Sequence, residues 1–273
     1  MQAVCDDLRI ECEELHGFVA ALPASAAARR TVFYEWTLYD EILHCHFLDL
    51  LGLMSLREPE QFAQIARTEG AKAKADPDYS FRAFTDRTLG RIEWSTLLGR
   101  WRATYLDMCE FFRGLDPKRR MQWFGPDMGV KSFAGARQME VWAHGQDIYD
   151  LYRVRRRNTD RLANIASLGV RTFGWSFVNR GLAPPRPEPH VVLTGPSGAQ
   201  WTWNPPSETD LVRGSAEDFC LVVTQRRNVA DTALEVRGEP ARAWMQIAQC
   251  FAGEPATGPA PGTRALHYET GSE

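Results

Sequence analysis

The sequence predicts an α+β protein in which an N-terminal bundle of helices is followed by a small α+β domain. The first two-thirds of the chain carry apolar residues at helical spacing, whereas short strand-like segments follow after about residue 155. Residues 184–189 contain four prolines, so no helix continues through them. We predict domains over 1–157 and 158–256 and a flexible tail over 257–273.

Four long helices are expected in the first domain. Thr37 begins one of them, because Thr37 and Asp40 have the spacing of a capping box, and Ser132 can cap another. Helices of this number and length are typical of an up-and-down bundle. Residues 55–90 are charged and irregular, and we expect a short helix and a long connection there. The predicted long helices are 3–21, 37–52, 91–112 and 133–152.

The second domain is expected to mix strands and helices. Alternating apolar residues and the turn residues Gly198 and Gly214 indicate the strands, and Gly253 ends the last helix. The predicted strands are 190–194, 201–203, 211–213 and 233–237. The predicted helices are 161–180, 215–224 and 241–251.

Composition excludes several classes of protein. Of the 273 residues, 44% are hydrophobic and 25% charged, as in an ordinary globular protein, and the net charge of -3 provides no basic field for nucleic acid. Residues 1–30 do not resemble a signal peptide, and no apolar run is long enough for a membrane helix. The six cysteines form no CxxC pair, which favours reduced thiols. We therefore expect a cytoplasmic protein that binds neither nucleic acid nor membrane.

The clearest chemical signal lies around Glu140 and His144. These residues are four apart, so a helix projects both side chains from one face, where they can bind a divalent metal. Arg137 and Asp147 lie three residues before and after the pair and make the same face polar. The alternative interpretation is an ordinary surface face with contacts among these charges.

A third metal ligand has to come from another helix. His44 and His46 lie on the helix that begins at Thr37, about 200° apart around its axis. Only one of them can therefore face an inward site, and the spacing does not choose between them.

Two motifs resemble those of the DinB-like maleylpyruvate isomerase family. Trp36 to His44 (WTLYDEILH) is similar to the family's W-T-V-x-D-x-x-x-H helix, and Arg137 to Asp147 (RQMEVWAHGQD) is similar to its R-x-x-E-x-W-A-H-G-Q-D helix. The resemblance extends over most of the chain. Other segments that carry it are 123–128, 168–172, 218–227 and 247–253.

This resemblance implies a metal triad of His44, Glu140 and His144 in a DinB-like four-helix bundle, followed by a sterol-carrier-like domain. It also implies a low-molecular-weight thiol, mycothiol in actinobacteria, as cofactor and a small electrophile as substrate. Zinc is the default metal, although the ligands also suit nickel, iron or manganese. The chain departs from the family at Tyr34-Glu35-Trp36, where Pro-Gly-Trp is usual, and at Asp150 to Arg153, where D-A-L-G is usual.

Further residues are candidates for the pocket. Arg137 and Asp147 are expected beside the metal, and Arg102, Arg82 or Arg87 is expected to bind a substrate carboxylate. Cys45 is interpreted as a buried structural cysteine. The arginines of 153–161 are compatible with an anionic cofactor, nucleic acid or a solvated domain junction, and the acidic balance of the chain favours the junction.

Three functions are compatible with these residues. The first is a metal- and thiol-dependent transferase or isomerase. The second is a hydrolase, lyase or cyclase that uses metal-bound water, for example in natural-product biosynthesis. The third is a non-catalytic, metal-stabilised ligand-binding protein. A requirement for added thiol separates the first from the second, and we expect a monomer or homodimer in each case.

Overall fold

The structure, a computed structural model, describes residues 1–76, 78–125 and 127–264. It divides into two compact units, Met1–Ile148 and Tyr149–Glu273. The first contains mainly helices and the second contains a four-stranded sheet with helices. The predicted α+β class is therefore confirmed. The sequence placed the domain boundary after residue 157, whereas the structure divides the chain after Ile148.

Six helices form most of the first unit. They are α1 (Gln2–Ala20), α2 (Leu38–Arg57), α3 (Pro59–Ala75), α4 (Phe81–Leu89), α5 (Trp94–Arg113) and α6 (Val130–Leu151). The four long helices predicted from the sequence correspond to α1, α2, α5 and α6. A short hairpin of β1 (Arg120–Met121) and β2 (Met128–Gly129) precedes α6.

Helix α2 begins where the capping box predicts. The Thr37 side chain accepts from the backbone N–H of Asp40, and the Asp40 carboxylate accepts from that of Thr37. The predicted end at Gly52 was wrong, since α2 continues to Arg57. A Cβ at Gly52 would lie 2.7 Å from the Phe133 ring, so this glycine permits close packing against α6 instead of ending the helix.

The expectation of a mostly irregular segment over 55–90 was also wrong, because α3 and α4 fill most of it. Each helix buries only a narrow stripe, so its sequence is rich in charge. Phe62 of α3 and Phe84 of α4 belong to one apolar cluster with Phe47 and Leu51 of α2. This cluster attaches both helices to the helix that carries His44.

The second unit is built on a mixed sheet. Its strands are β3 (His190–Thr194), β4 (Gln200–Trp203), β5 (Leu211–Ser215) and β6 (Glu235–Arg237), in the order β4-β3-β5-β6. Its helices are α7 (Leu162–Arg171), α8 (Phe173–Val178), α9 (Ala216–Val223) and α10 (Glu239–Ile247). Strands β3 and β5 are parallel and in register from His190↔Leu211 to Thr194↔Ser215, so both end at the same edge.

The predicted tail is only partly described. Asn228 Nδ2 donates to Pro259 O (2.9 Å), and the Gly262 N–H donates to the Asp231 carboxylate (2.8 Å), so this part of the tail is hydrogen-bonded to the second unit. Residues 265–273 of the predicted tail lie outside the described residues. Within the described ranges, no helix combines the length and apolarity needed to span a membrane. All six cysteines are buried and carry free thiols, as their spacing predicted.

Candidate metal centre

His44 of α2 lies against Glu140 and His144 of α6. His44 Nε2 is 3.4 Å from Glu140 Oε2, and His144 Nε2 is 3.3 Å from the same oxygen. The two imidazole centroids are 4.6 Å apart, and one donor atom from each residue lies within 4.8 Å of the others. The three residues that the resemblance implied as ligands are thus adjacent in space.

Helix geometry explains how the three donors meet. Glu140 and His144 are one turn apart on α6, so they share a face. On α2, His44 contributes to the cluster, whereas His46 is buried without joining it. The structure therefore places His44, and not His46, beside Glu140 and His144, which the spacing of the two histidines did not decide. That choice depends on which face of α2 packs against α6, which is a long-range property.

The donor set fits a divalent metal. Tetrahedral zinc bonds of about 2.0–2.1 Å require donor atoms about 3.3 Å apart, close to the 3.3 and 3.4 Å observed here. Burial, reinforced by the neighbouring His144, lowers the pKa of His44 to about 4, so the imidazole is neutral at pH 7. Burial opposes ionisation of Glu140, but hydrogen bonds with both histidines hold its pKa well below the ordinary value. Neutral imidazoles and a carboxylate are the forms that bind a metal.

Glu41 is a functional candidate that the sequence analysis missed. Its Oε2 lies 2.6 Å from His144 Nδ1, and its Oε1 accepts from Thr31 Oγ1 at 2.7 Å. The Glu41 side chain is fully buried. A carboxylate in this position fixes the proton on Nδ1 and directs Nε2 toward the centre. The sequence did contain a signal for this role. Glu41 precedes His44 by three residues, so the two side chains share a face of α2.

Arg137, which the sequence placed beside the metal, forms a buried ion pair with Asp49. Arg137 Nε donates to Asp49 Oδ1 (2.9 Å), and Arg137 Nη2 donates to the carbonyl of Cys45 (3.2 Å). The second Asp49 oxygen accepts from Trp101 Nε1 (3.2 Å). These hydrogen bonds connect α2, α5 and α6 about one helical turn from the candidate metal ligands His44 and Glu140.

Asp147 lies close to His144 and Glu41, and its predicted place beside a metal stays a prediction. Oxygen atoms of Asp147 and Glu41 and a nitrogen of His144 lie within 4.8 Å of one another, and all three side chains are buried. His144 is thus surrounded by three carboxylates. Two of them, Glu41 and Asp147, lie outside the triad.

Aromatic rings enclose both imidazoles. Trp36 stacks on His144 at 5.7 Å and meets His44 edge-on at 5.3 Å. Phe33 packs against His144 (5.2 Å), and Phe81 packs against His44 (5.7 Å). Such rings exclude water and hold the imidazole planes.

The loop that presents Trp36 is where the chain departs from the motif of the family it resembles. Tyr34 and Glu35 both have left-handed backbone conformations, with φ of 48° and 59°. This region favours glycine, the residue that the family usually has at the position of Glu35. Two hydrogen bonds to backbone carbonyls hold the loop in this shape. The Trp36 N–H donates to Phe33 O (2.9 Å), and Arg30 Nη1 donates to Glu35 O (2.8 Å).

A small cavity next to His44 contains one of the three candidate arginines. Arg82 lines it and pairs with Asp40 at 3.0 Å. Arg87 pairs instead with Glu69 (3.1 Å). Arg102 is half-exposed on α5 and pairs with Glu13 of α1 at 2.9 Å, and it does not line this cavity. The structure therefore places Arg82 at the cavity next to His44, whereas the role predicted for Arg102 stays a prediction.

The fold and the centre define a class of protein, a helical bundle with a largely buried His/Glu/His group, followed in the chain by an α+β unit. Residues 8–149, just over half of the chain, match the family described as mycothiol maleylpyruvate isomerase N-terminal domain. The chain therefore belongs to this family, and the resemblance inferred from its motifs is confirmed.

Similar proteins extend the comparison to the whole chain. Two uncharacterized proteins of Mycobacterium tuberculosis, Rv0036c of strain H37Rv and MT0041 of strain CDC 1551, are each 40% identical over 253 residues, which cover 92% of this chain and 96% of theirs. The crystal structure of the mycothiol-dependent maleylpyruvate isomerase has a TM-score of 0.50 and 12% identity, over 82% of this chain and 88% of that chain. A mutant of that isomerase with a histidine replaced by alanine gives the same values. At this identity the structural likeness concerns the fold alone.

Proposed function

We propose that the protein is a metal-dependent enzyme that uses a low-molecular-weight thiol to isomerise, or transfer the thiol to, a small electrophile. The observation that carries this proposal is the convergence of His44, Glu140 and His144, in which both histidines lie 3.3–3.4 Å from the Glu140 carboxylate and the three donor atoms lie within 4.8 Å of one another. Membership in the mycothiol maleylpyruvate isomerase family supports the thiol. We further propose zinc as the metal and mycothiol, or a thiol like it, as the cofactor.

The metal has a defined contribution in this proposal. A divalent ion on three protein ligands keeps a position open for a thiol and lowers the pKa of that thiol, so that thiolate is available at neutral pH. Cys45 is buried, and burial raises the pKa of its thiol well above the ordinary value. The nucleophile therefore comes from the cofactor and not from this chain.

The protein's own residues position and shield the reactants. Glu41 holds the tautomer of His144, and Trp36 covers the imidazoles against water. Arg82 is the residue we assign to a substrate carboxylate, because it lines the cavity next to His44. Its present partner Asp40, which it contacts through one nitrogen at 3.0 Å, would be exchanged for the substrate carboxylate, which a guanidinium can bind through two nitrogens. Arg137 acts as a positioning residue through Asp49.

The isomerisation balances without an oxidant or reductant. The thiolate sulfur forms a bond to one carbon of an activated double bond, and the electron pair moves onto the conjugated carbonyl oxygen. Rotation then occurs about the resulting carbon–carbon single bond. When the electron pair returns, the carbon–sulfur bond breaks and the thiolate is regenerated.

Metal content measured by elemental mass spectrometry is the first test. We expect about one divalent metal per chain in the wild-type protein and loss of most of it in His44→Ala and Glu140→Ala. His46→Ala is the matched control, because His46 lies on the same helix but outside the cluster. If the wild-type protein takes up no zinc, or if His46→Ala loses metal as fully as His44→Ala, the proposed centre is wrong.

Thiol dependence of turnover is the second test. With maleylpyruvate as the first substrate, we expect conversion to require mycothiol and to stop when the metal is chelated and return when zinc is added. Arg82→Gln is expected to raise KM more than it lowers kcat, and Arg57→Gln is its control, because Arg57 is exposed at the end of α2 and pairs with Asp107. Turnover of a substrate that is unaffected by the omission of thiol would instead favour metal-bound water as the nucleophile.

A further inference from the structure

The second unit contains a cavity that the proposed chemistry does not use. Its volume is about 520 Å³, which is large enough for a small molecule. Three consecutive arginines, Arg155, Arg156 and Arg157, line it. Asn158, Gly195 and Ser215 are also among its lining residues.

The central arginine of the three is anchored. Arg156 is buried, and its guanidinium lies over the Tyr149 ring at 5.1 Å from the centroid. Arg155 and Arg157 are exposed, and neither forms an ion pair with a residue in the described part of the chain. The segment therefore has one fixed arginine between two whose charges are not compensated at contact distance.

Charge in the cavity is strongly unbalanced. Glu217 is the acidic residue in its lining, and the positive charges of Arg155 and Arg156 favour its ionised form, although burial raises its pKa. Three guanidinium groups and one carboxylate give a formal charge of +2 (3 - 1), although the whole chain has a net charge of -3. The positive charges of the three arginines repel each other, so an anion bound in the cavity lowers the electrostatic energy.

The backbone places this cavity at a favourable edge of the sheet. The parallel strands β3 and β5 end together at Thr194 and Ser215, and both residues line the cavity. Helix α9 follows directly, with Ser215 as its N-cap. Ligands of sheets with parallel strands commonly bind beyond the carboxyl ends of the strands, where loops and helix N-termini meet.

We propose that this cavity binds a small dianion, a phosphate or dicarboxylate compound, whose oxygens accept hydrogen bonds from Arg155 and Arg157. Planar guanidinium groups bind both kinds of oxyanion in a two-pronged manner. The size of the cavity suits a small molecule and not a duplex nucleic acid. This inference does not depend on the metal centre or on the proposed reaction.

The test is titration calorimetry of the full chain at pH 8 and low ionic strength, with inorganic phosphate and succinate as separate probes. We expect saturable binding of at least one probe. Arg155→Gln and Arg157→Gln are each expected to weaken it about tenfold, because each removes charge-assisted hydrogen bonds. Arg242→Gln is the matched control, an exposed arginine on α10 of the same unit that does not line the cavity.

A substitution that is expected to strengthen anion binding adds a second test. Glu217→Gln removes the negative charge from the lining and keeps a side chain of the same size, so it should tighten anion binding several-fold. Circular dichroism establishes that each variant is folded. If phosphate binds more strongly than succinate, the ligand of the cavity is a phosphate compound. If succinate binds more strongly, the ligand is a dicarboxylate. The inference is overturned if neither probe binds the wild-type protein, or if the Arg155 and Arg157 variants bind as Arg242→Gln does.

Discussion

Glu41 Oε2 lies 2.6 Å from His144 Nδ1, and this contact fixes which nitrogen of His144 faces Glu140. Nδ1 of His144 is occupied by Glu41, and Nε2 is directed at the candidate metal position. The Glu41 carboxylate is itself held by Thr31 (2.7 Å). Hydrogen bonds thus connect Thr31, in the loop before α2, through Glu41 to His144, a candidate metal ligand on α6.

We predict that Glu41→Gln weakens metal binding by about 10–100-fold, the usual effect of losing the carboxylate behind a histidine ligand. The amide can still accept a hydrogen bond, but it lacks the charge that makes the imidazole a stronger donor to the metal. Zinc affinity is measured by competition with a chromophoric chelator. Glu69→Gln is the control, since Glu69 is also a buried carboxylate of the first unit but pairs with Lys72 and Arg87. Equal zinc affinity in the wild-type protein and Glu41→Gln would contradict this role of Glu41.

The Arg137–Asp49 pair is predicted to contribute to specificity of packing more than to net stability. Arg137→Met leaves the Asp49 carboxylate buried without its cation, so the free energy of unfolding should fall by about 3–5 kcal/mol. Adding Asp49→Leu should recover part of this loss, because the buried carboxylate is then gone. A remainder of about 1–3 kcal/mol is expected, because Trp101 Nε1 then has no acceptor.

Urea denaturation of the two single variants and the double variant forms the thermodynamic cycle that tests this. Metal content is the second measurement, since Arg137→Met should lower it by loosening α6 against α2. A double variant that is as unstable as the sum of the single variants would show that the two side chains do not act as a pair.

Local signals predicted the helices and part of the centre. The capping box at Thr37 and the four-residue spacing of Glu140 and His144 are properties of single helices, and both are present in the structure. The sequence predicts one short helix over 55–90, whereas the structure has two helices over 59–75 and 81–89, because a charged segment does not exclude helix. The segment 59–75 is nonetheless rich in Ala, Gln, Glu and Lys, which are strong helix formers.

Long-range contacts account for the rest. The choice of His44 over His46, the pairing of Arg137 with Asp49 and the separation of Arg102 from the centre all depend on which helix faces meet. No periodicity within one helix contains that information. Only the family resemblance, which reflects the whole fold, could select His44 before the structure was known.

The loop before α2 should tolerate glycine better than a branched residue at position 35. Glu35 has φ of 59° and an exposed side chain, and its backbone carbonyl accepts from Arg30. Left-handed conformations cost about 1–2 kcal/mol for residues with a Cβ, so Glu35→Gly should leave the Tm unchanged or raise it by a few degrees. Glu35→Val should lower it, since a β-branched side chain is most strained there.

Both Glu35 variants keep the hydrogen bond from Arg30, which isolates the effect of backbone conformation. Differential scanning calorimetry gives the Tm, and metal content reports whether Trp36 still covers the imidazoles. If Glu35→Gly destabilises the protein as much as Glu35→Val does, the left-handed conformation at this position is wrong.

The buried cysteines predict how the free energy of unfolding changes at alkaline pH. Burial raises the pKa of Cys12, Cys45 and Cys109 well above their ordinary value of 9.0. In the unfolded chain these thiols ionise near pH 9, whereas in the folded protein they stay protonated. The unfolded state therefore binds fewer protons above that pH, so the free energy of unfolding is fully retained below pH 8.5 and falls as the pH rises.

Thiol reactivity reports the same property directly. At pH 8 an aromatic disulfide reagent should react slowly with the native protein and quickly with all six cysteines in urea, because only exposed thiolate is attacked. Urea denaturation at pH 8 and pH 10 should show a smaller alkaline loss for Cys109→Ala than for the wild-type protein. Cys45→Ser should keep its thiol-dependent turnover, since the nucleophile is supplied by the cofactor. A single cysteine that reacts rapidly in the native protein at pH 7, with turnover lost in Cys45→Ser, would make Cys45 the nucleophile instead.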